Sequence, residues 1–360
     1  MTEAASTAIR LNPFKGCDGP EGVPVPWSPY GRILKDRPNF TLDPLFHAGC
    51  YYVQDSSAMF VGWLFRKLLP EAGRGSVRVL DLCAAPGGKT TDLAVSLRET
   101  FGDSFELVSN EVMAARASVL ADNVGAWGDP NVLVTRADPA VIGSSLKGWF
   151  DIIVADVPCS GEGMFRKDPR AVQEWSPALV DMCAARQKRI LADVWPALRQ
   201  GGILIYSTCT YEDAENDGNL QWAAEELGGE ILAPEDVFGG YGVKLTRHGN
   251  LLRAGEVPGE GQWAGALRKM APAEAVKRPD LARLHPFESR MQVFDEKIPR
   301  VELDLQQALK YLHRDSLFLP EAPRGLLTVC YRTHPLGFVK NLGPRCNNLY
   351  PKSRRILMDV

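Results

Sequence analysis

The chain has 360 residues, 45% of them apolar and 24% charged, with a formal net charge of −3. That is ample material for a buried core and two or three domains, and the charge argues against a generic polyanion binder. No run reaches the ~18 apolar residues of a membrane-spanning helix, and the opening MTEAASTAIRLNPFKG carries no apolar signal segment. A cytoplasmic location without a membrane partner is the expectation.

The first 49 residues contain Pro13, Pro20, Pro24, Pro26, Pro29, Pro38 and Pro44 and read as an irregular extension wrapped over a core. From residue 77 onward, short apolar runs alternate with helical patterns. Strands are expected at 77–82, 105–111, 131–135, 149–157 and 201–208, and helices at 90–101, 113–127, 177–198 and 212–227. Val/Ile/Leu-rich strands separated by helices specify a parallel, doubly wound α/β sheet. The division is then an extension over 1–49, an α/β domain over 50–270, a linker over 271–284 and a small domain over 285–360.

Ligands of open parallel sheets bind beyond the carboxyl ends of the strands. After the first strand comes DLCAAPGGKTTD, where small residues and two glycines let a ligand approach the backbone and the next helix offers free N–H groups. The stretch ends in Gly88-Lys89-Thr90 like a nucleotide-phosphate loop. That pattern needs a glycine where Cys83 stands, and Pro86 stiffens the turn, so an NTPase is disfavoured. The G-x-G-x-x-G dinucleotide signature is absent too. Glu111, ending the second strand, suits both hydroxyls of a ribose, and Asp138 follows the third. An adenosine-bearing cofactor that is not a triphosphate fits, and S-adenosylmethionine meets that description.

Two further motifs sit just past buried strands. ADVPCSGEGMFRKDP brings Asp156 and Cys159, and YSTCTYED brings Cys209. A thiolate is a strong nucleophile. Added to carbon 6 of a cytosine, it makes carbon 5 nucleophilic towards a methyl donor. A carboxyl group near N3 promotes the addition, and a base must finally remove the carbon 5 proton. Asp156, Cys159 and Cys209 supply that set, with either cysteine eligible to attack. The remaining cysteines, Cys17, Cys50, Cys83, Cys183, Cys330 and Cys346, form no C-x-x-C pair. They read as free, mostly buried thiols, with neither a zinc site nor a disulfide framework expected. None of the five histidines lies in a strand-end motif, which disfavours a thiol hydrolase. From Arg332 to Arg355 the chain carries Arg332, Lys340, Arg345, Lys352, Arg354 and Arg355 and no acid, interleaved with Tyr331, Phe338, Tyr350, Asn341, Asn347 and Asn348. That pattern suits phosphate contact and base stacking, or simply a solvated surface.

DLCAAPGGKTTDLA, NEVMAARASVLADN, ADVPCSGEGMFRKDP and YSTCTYEDAEND resemble the S-adenosylmethionine-dependent RNA cytosine-5 methyltransferases of the Sun/RsmF type. The flanking IRLNPFK, FTLDPLFHAGCYYVQDSSAMF, GEGQWAGALRK and GFVKNLGPRCNNLYPKSRRI extend the resemblance over most of the chain. It implies a Rossmann-like methyltransferase sheet of seven strands, the last ones antiparallel, and a C-terminal RNA-binding, PUA-like domain. It also implies ribosomal RNA, or the small ribosomal subunit, as substrate and no metal. It assigns Cys209 as nucleophile, Cys159 to product release and Asp156 to N3. Cofactor contacts carry over to Cys83, Ala84, Ala85, Pro86, Gly87, Gly88, Lys89, Glu111, Asp138 and Asp156. A transfer RNA methyltransferase and a non-catalytic assembly factor with a retained pocket are the alternatives. Two features depart from the family pattern: the segment ahead of IRLNPFK is short, and the tail reads PKSRRI.

Overall fold

The computed structural model describes residues 6–72, 75–166, 169–272 and 280–360; much of the expected linker, 273–279, lies outside the described residues. Five parallel strands form the centre: β1 (Val77–Asp81), β2 (Phe105–Asn110), β3 (Val132–Thr135), β4 (Phe150–Asp156) and β5 (Leu198–Thr208), in the order β3-β2-β1-β4-β5. Strand order reverses between β1 and β4, which opens a crevice at their carboxyl ends. Ile152 and Val154 of β4 enter the core on one face of the sheet, and Ile153 and Ala155 the core on the other. Burial on both faces is why this strand reads as a continuous apolar run.

The helices start and stop where their caps dictate. α1 (Gly88–Phe101) follows the small-residue loop, and α2 (Ala114–Trp127) ends on Gly128 at φ +87°. α3 (Pro139–Ser145) opens with Asp138, whose side chain accepts from Ala140 N, and with proline in the first turn. α4 (Pro177–Val194) repeats that pattern with Ser176 and Pro177. It stops short of the expected residue 198 because Pro196 has no N–H to donate, and a 3-10 turn (Trp195–Ala197) leads into β5. α5 (Asp217–Leu227) ends on Gly228.

Past α5 the chain adds β6 (Gly229–Leu232), β7 (Lys244–Leu245), β8 (Gly249–Arg253) and β9 (Gly261–Lys269). β9 runs antiparallel to β5, and its outer edge pairs first with β8 and then with β6. The sheet therefore has nine strands among the described residues, not seven, because β7 and β8 extend the antiparallel edge.

The N-terminal segment is not irregular. Thr7–Leu11, Val23–Pro24, Gly31–Leu34 and Tyr51–Val53 form a four-stranded antiparallel sheet, with Pro24 confined to its edge strand. A third sheet (Arg300–Glu302, Gly325–Tyr331, His334–Asn341, Cys346–Asn348) carries a helix (Leu305–His313) started by an Asp304–Gln307 capping box. These two units share one apolar core: Ile9, Leu45 and Tyr51 pack with Leu309, Leu312, Val339 and Tyr350.

Two expectations are corrected by these units. Cys17 and Cys50 are joined in a disulfide; a separation of 33 residues gives no local sign of the pairing. Several tail residues, left open by composition between phosphate contact and a solvated surface, are instead structural. Tyr350 is buried, Asn341 donates to the carbonyls of Leu319 and Ala322, and Asn348 donates to that of Tyr311. Arg354 donates to the His47 carbonyl at 2.8 Å and lies over the Tyr350 ring. Arg332, Lys340, Arg345, Lys352 and Arg355 remain exposed.

Candidate active site

Every strand-end motif converges on the crevice beyond β1 and β4. The 82–87 loop hangs from its neighbours: Leu82 N donates to Val154 O, and Ala84 N to Asn110 O. Pro86 O accepts from Tyr52 Oη and Asn123 Nδ2, and Gly87 turns the chain at φ +113°, which glycine takes without a Cβ penalty. Cys83 is held neutral, because burial raises its thiol pKa. Beneath the loop, Asp81 accepts from Thr90 Oγ1 at 2.7 Å through one oxygen, while the other is buried with no hydrogen-bond partner. Burial pushes this carboxyl up to about 7. Asp81 is not among the residues singled out from the sequence, although its place in DLCAAPGG, directly under the loop, is a usable sign.

Glu111 is 2% exposed. Its Oε1 accepts from Met113 N, its Oε2 has no hydrogen-bond partner, and Arg116 stands 3.2 Å from Oε2 while also donating to Ala85 O. A buried carboxylate oxygen with open lone pairs fits a ribose diol, and Arg116 braces the acid against the loop. Asp138 is exposed at the start of α3, one oxygen spent on the helix cap. It lies at the crevice rim and is free to accept through the other. The donor set thus fits an adenosine-bearing cofactor: a loop with close backbone approach, a buried diol acceptor and a rim acid.

The two cysteines meet at the ends of adjacent strands. Register pairs Asp156 of β4 with Ser207 of β5, so Cys159 and Cys209 leave the sheet side by side. Their sulfurs are 3.2 Å apart and both residues are free thiols. The pair is asymmetric. A hydrogen bond from Cys159 and the Lys89 ammonium hold the Cys209 thiol below its usual pKa, against the effect of burial. The same hydrogen bond and burial push Cys159 well above its own. Of the two, Cys209 is therefore the more readily deprotonated thiol and the more nucleophilic position.

Asp156 sits beside them with three donors: Lys89 Nζ at 2.7 Å, Ser207 Oγ at 2.7 Å and Gln262 Nε2 at 3.0 Å. Burial works against the Lys89 ammonium, but Asp156 and Cys209 outweigh it and raise its pKa. Ser207 lies within YSTCTYED and Gln262 within GEGQWAGALRK, but neither is singled out from the sequence, since strand register brings one to Asp156 and the antiparallel return of β9 the other.

Behind the thiols lies a buried polar scaffold. Glu215, fully buried, accepts from Ser160 N and from Gln187 Nε2, and Gln187 also donates to Pro158 O. Tyr206 donates to the Glu215 carbonyl. Glu162 accepts from Thr210 Oγ1 and Tyr211 N, and Gly163 N donates to Cys209 O. The two cysteine loops are thus tied to each other and to α4.

The family described as 16S rRNA methyltransferase RsmB/F matches residues 69–252. The N-terminal domain of 16S rRNA methyltransferase RsmF matches residues 1–56, and the RsmF PUA domain residues 298–356. Ribosomal RNA small subunit methyltransferase F of Cronobacter sakazakii is 37% identical over 283 residues, covering 75% of this chain and 57% of that relative. The chain thus spans just over half the relative's length. Among solved structures, PH0851 superposes with a TM-score of 0.62 at 22% identity, covering 74% of this chain and 60% of the other. A methyltransferase homolog protein from Pyrococcus horikoshii gives 0.59 at 25% identity, covering 74% and 87%.

Proposed function

This chain belongs to the 16S rRNA methyltransferase RsmB/F family, whose cofactor is S-adenosylmethionine, and from that premise we propose that it methylates carbon 5 of a cytosine in ribosomal RNA. The observation that carries the reading is the asymmetric thiol pair, 3.2 Å apart, beside a carboxylate with three donors. Cys209, the more readily ionised thiol, adds as its thiolate to carbon 6 of the base. Asp156, fixed by Lys89, Ser207 and Gln262, faces N3 and the exocyclic amine and stabilises the proton that N3 takes up. Bound S-adenosylmethionine supplies an electrophilic methyl group, which the activated carbon 5 attacks. A base takes the carbon 5 proton as the Cys209–carbon 6 bond breaks and carbons 5 and 6 regain their double bond, and Cys159, still protonated, aids release by donating its S–H to the departing Cys209 thiolate. Glu111 and the 82–89 loop hold the cofactor, with Asp138 at the adenine end.

The test is a denaturing gel for covalent protein–RNA adducts with ribosomal RNA and cofactor. Adduct accumulates in Cys159→Ala, which attacks but cannot release, and is absent from Cys209→Ala. Adduct retained by Cys209→Ala and lost from Cys159→Ala reverses the two roles. Methylated transfer RNA with unmodified ribosomal RNA changes the substrate. Cofactor binding with no adduct and no turnover on any RNA makes the chain a non-catalytic assembly factor.

A further inference from the structure

Three ligand-type side chains that the crevice does not use meet where the N-terminal and C-terminal units join. Cys17 comes from a loop of the N-terminal unit and Cys50 from the residue before its last strand. His334 begins a strand of the C-terminal unit, just past a hairpin turn in which Arg332 and Thr333 both hold positive φ. The Sγ atoms of Cys17 and Cys50 and a ring nitrogen of His334 all lie within 4.8 Å of one another, the one such group among the described residues. His334 Nδ1 is 3.4 Å from Cys17 Sγ. The imidazole stands beside the disulfide sulfur at a spacing that also suits a shared metal ion. With zinc bond lengths of ~2.3 Å to sulfur and ~2.0 Å to nitrogen, tetrahedral geometry puts ligating S and N about 3.5 Å apart.

We propose that the reduced form of this cluster is a zinc-class metal site, with Cys17, Cys50 and His334 as ligands, linking the N-terminal and C-terminal units. Reduction by a thiol or phosphine reductant adds two electrons and two protons across the Cys17–Cys50 bond. Binding of the divalent cation then releases the two thiol protons, so two thiolates balance its charge. The sulfurs separate to about 3.8 Å, the tetrahedral spacing for two zinc-bound thiolates, while the imidazole is already in place. The fourth position is open to water. Cys50 is fully buried, while Cys17 and His334 are half-buried at the edge where the two units meet, so an ion has an entry path from solvent. Disulfide and metal are then alternative closures of one inter-unit joint.

The full chain, reduced with tris(2-carboxyethyl)phosphine under nitrogen and checked by thiol count, is titrated with Co²⁺. One equivalent is expected to bring thiolate-to-cobalt charge-transfer absorption, displaced by Zn²⁺. That band is lost in Cys17→Ser and Cys50→Ser, and affinity falls at least tenfold in His334→Ala. Loss of folding in a cysteine variant is checked by circular dichroism. His334→Ala retains both thiols, and the wild-type titration stands on its own. Reduced wild-type chain with no charge-transfer band overturns the proposal, as does a bond that resists reduction in the folded chain or a cobalt affinity unchanged in His334→Ala.

Discussion

Under the proposed mechanism, the contact between the two sulfurs and the ammonium of Lys89 favour Cys209 as the attacking thiol. Replacing Lys89 with methionine removes the cation and leaves Asp156 with two donors. The pH at which Cys209 is half-alkylated by iodoacetamide should then rise by about one unit, the size of shift that one nearby charge produces. Cys159→Ala should move it the same way by removing the donor, and an unmoved profile in both variants would mean that Cys209 is not the thiolate. Asp81 gives a second, oppositely signed test. Its carboxyl is raised from 3.8 to about 7 in the folded chain. Between those values the native state therefore binds a proton that the unfolded chain has lost, and stability falls as pH rises through that window. Asp81→Asn should flatten this loss, so urea midpoints of variant and wild type should diverge between pH 5 and pH 8, with the variant relatively favoured at the higher pH. Cys159, Cys209 and Asp156 could be singled out from the sequence because they lie in short motifs at strand ends, and the fold brings the three together. Ser207, Gln262, Gln187 and Glu215 were not, because each reaches the site only through register or packing between distant segments.

The helix behind the cofactor loop leans on a strand of another unit. Arg10, fully buried in the N-terminal sheet, donates to Gly88 O at 3.0 Å, to Thr91 Oγ1 and to Gln54 Oε1 at 3.0 Å. Its Nε lies 3.9 Å from Asp92 of α1, which also pairs with Arg66 at 2.9 Å. The guanidinium thereby fixes the first turn of α1, which the proposed function places against the cofactor. Breaking a buried pair by truncating one member costs ~3–5 kcal/mol, and Arg66 retains part of the compensation for Asp92. Arg10→Met should therefore lower stability by about 3 kcal/mol, at the low end of that range, and weaken cofactor binding in calorimetry. The double variant Arg10→Met/Asp92→Asn should be less damaged than the sum of its parts, since it leaves no unpaired acid; additive losses would mean that the two do not interact. The five parallel strands were readable because each is local, apolar and bounded by helix caps. The N-terminal sheet was not, since its strands are short and far apart in sequence and its prolines mimic a loop. Nor was the β7–β8 edge, whose strands acquire meaning only when β9 returns beside β5.

At the scale of the whole molecule, the C-terminal unit is docked rather than tethered, and its basic residues divide by what they touch. Arg354 is spent on docking: it donates to His47 O and stacks on Tyr350, while Ser353 donates to Asp122 of α2. Arg332, Lys340, Arg345, Lys352 and Arg355 face solvent, and the last three, nearest the chain's end, are cations available to phosphate. Composition could not make this division, because an arginine that closes an interface and one that meets a phosphate look alike in a basic run. Charge reversal at Arg345, Lys352 and Arg355 should weaken ribosomal RNA binding. It should also reduce the slope of log K against log salt by roughly 0.7–0.9 for each phosphate no longer neutralised, with the thermal midpoint unchanged. Arg354→Glu should do the reverse: it undocks the tail, lowers the midpoint, and leaves the salt slope per bound RNA nearly as in wild type. Binding titrations from 50 to 300 mM salt, run beside thermal melts, separate the two. If the triple reversal leaves the slope unchanged, RNA reaches the crevice over another face; if Arg354→Glu alone changes it, the docking arginine itself meets a phosphate.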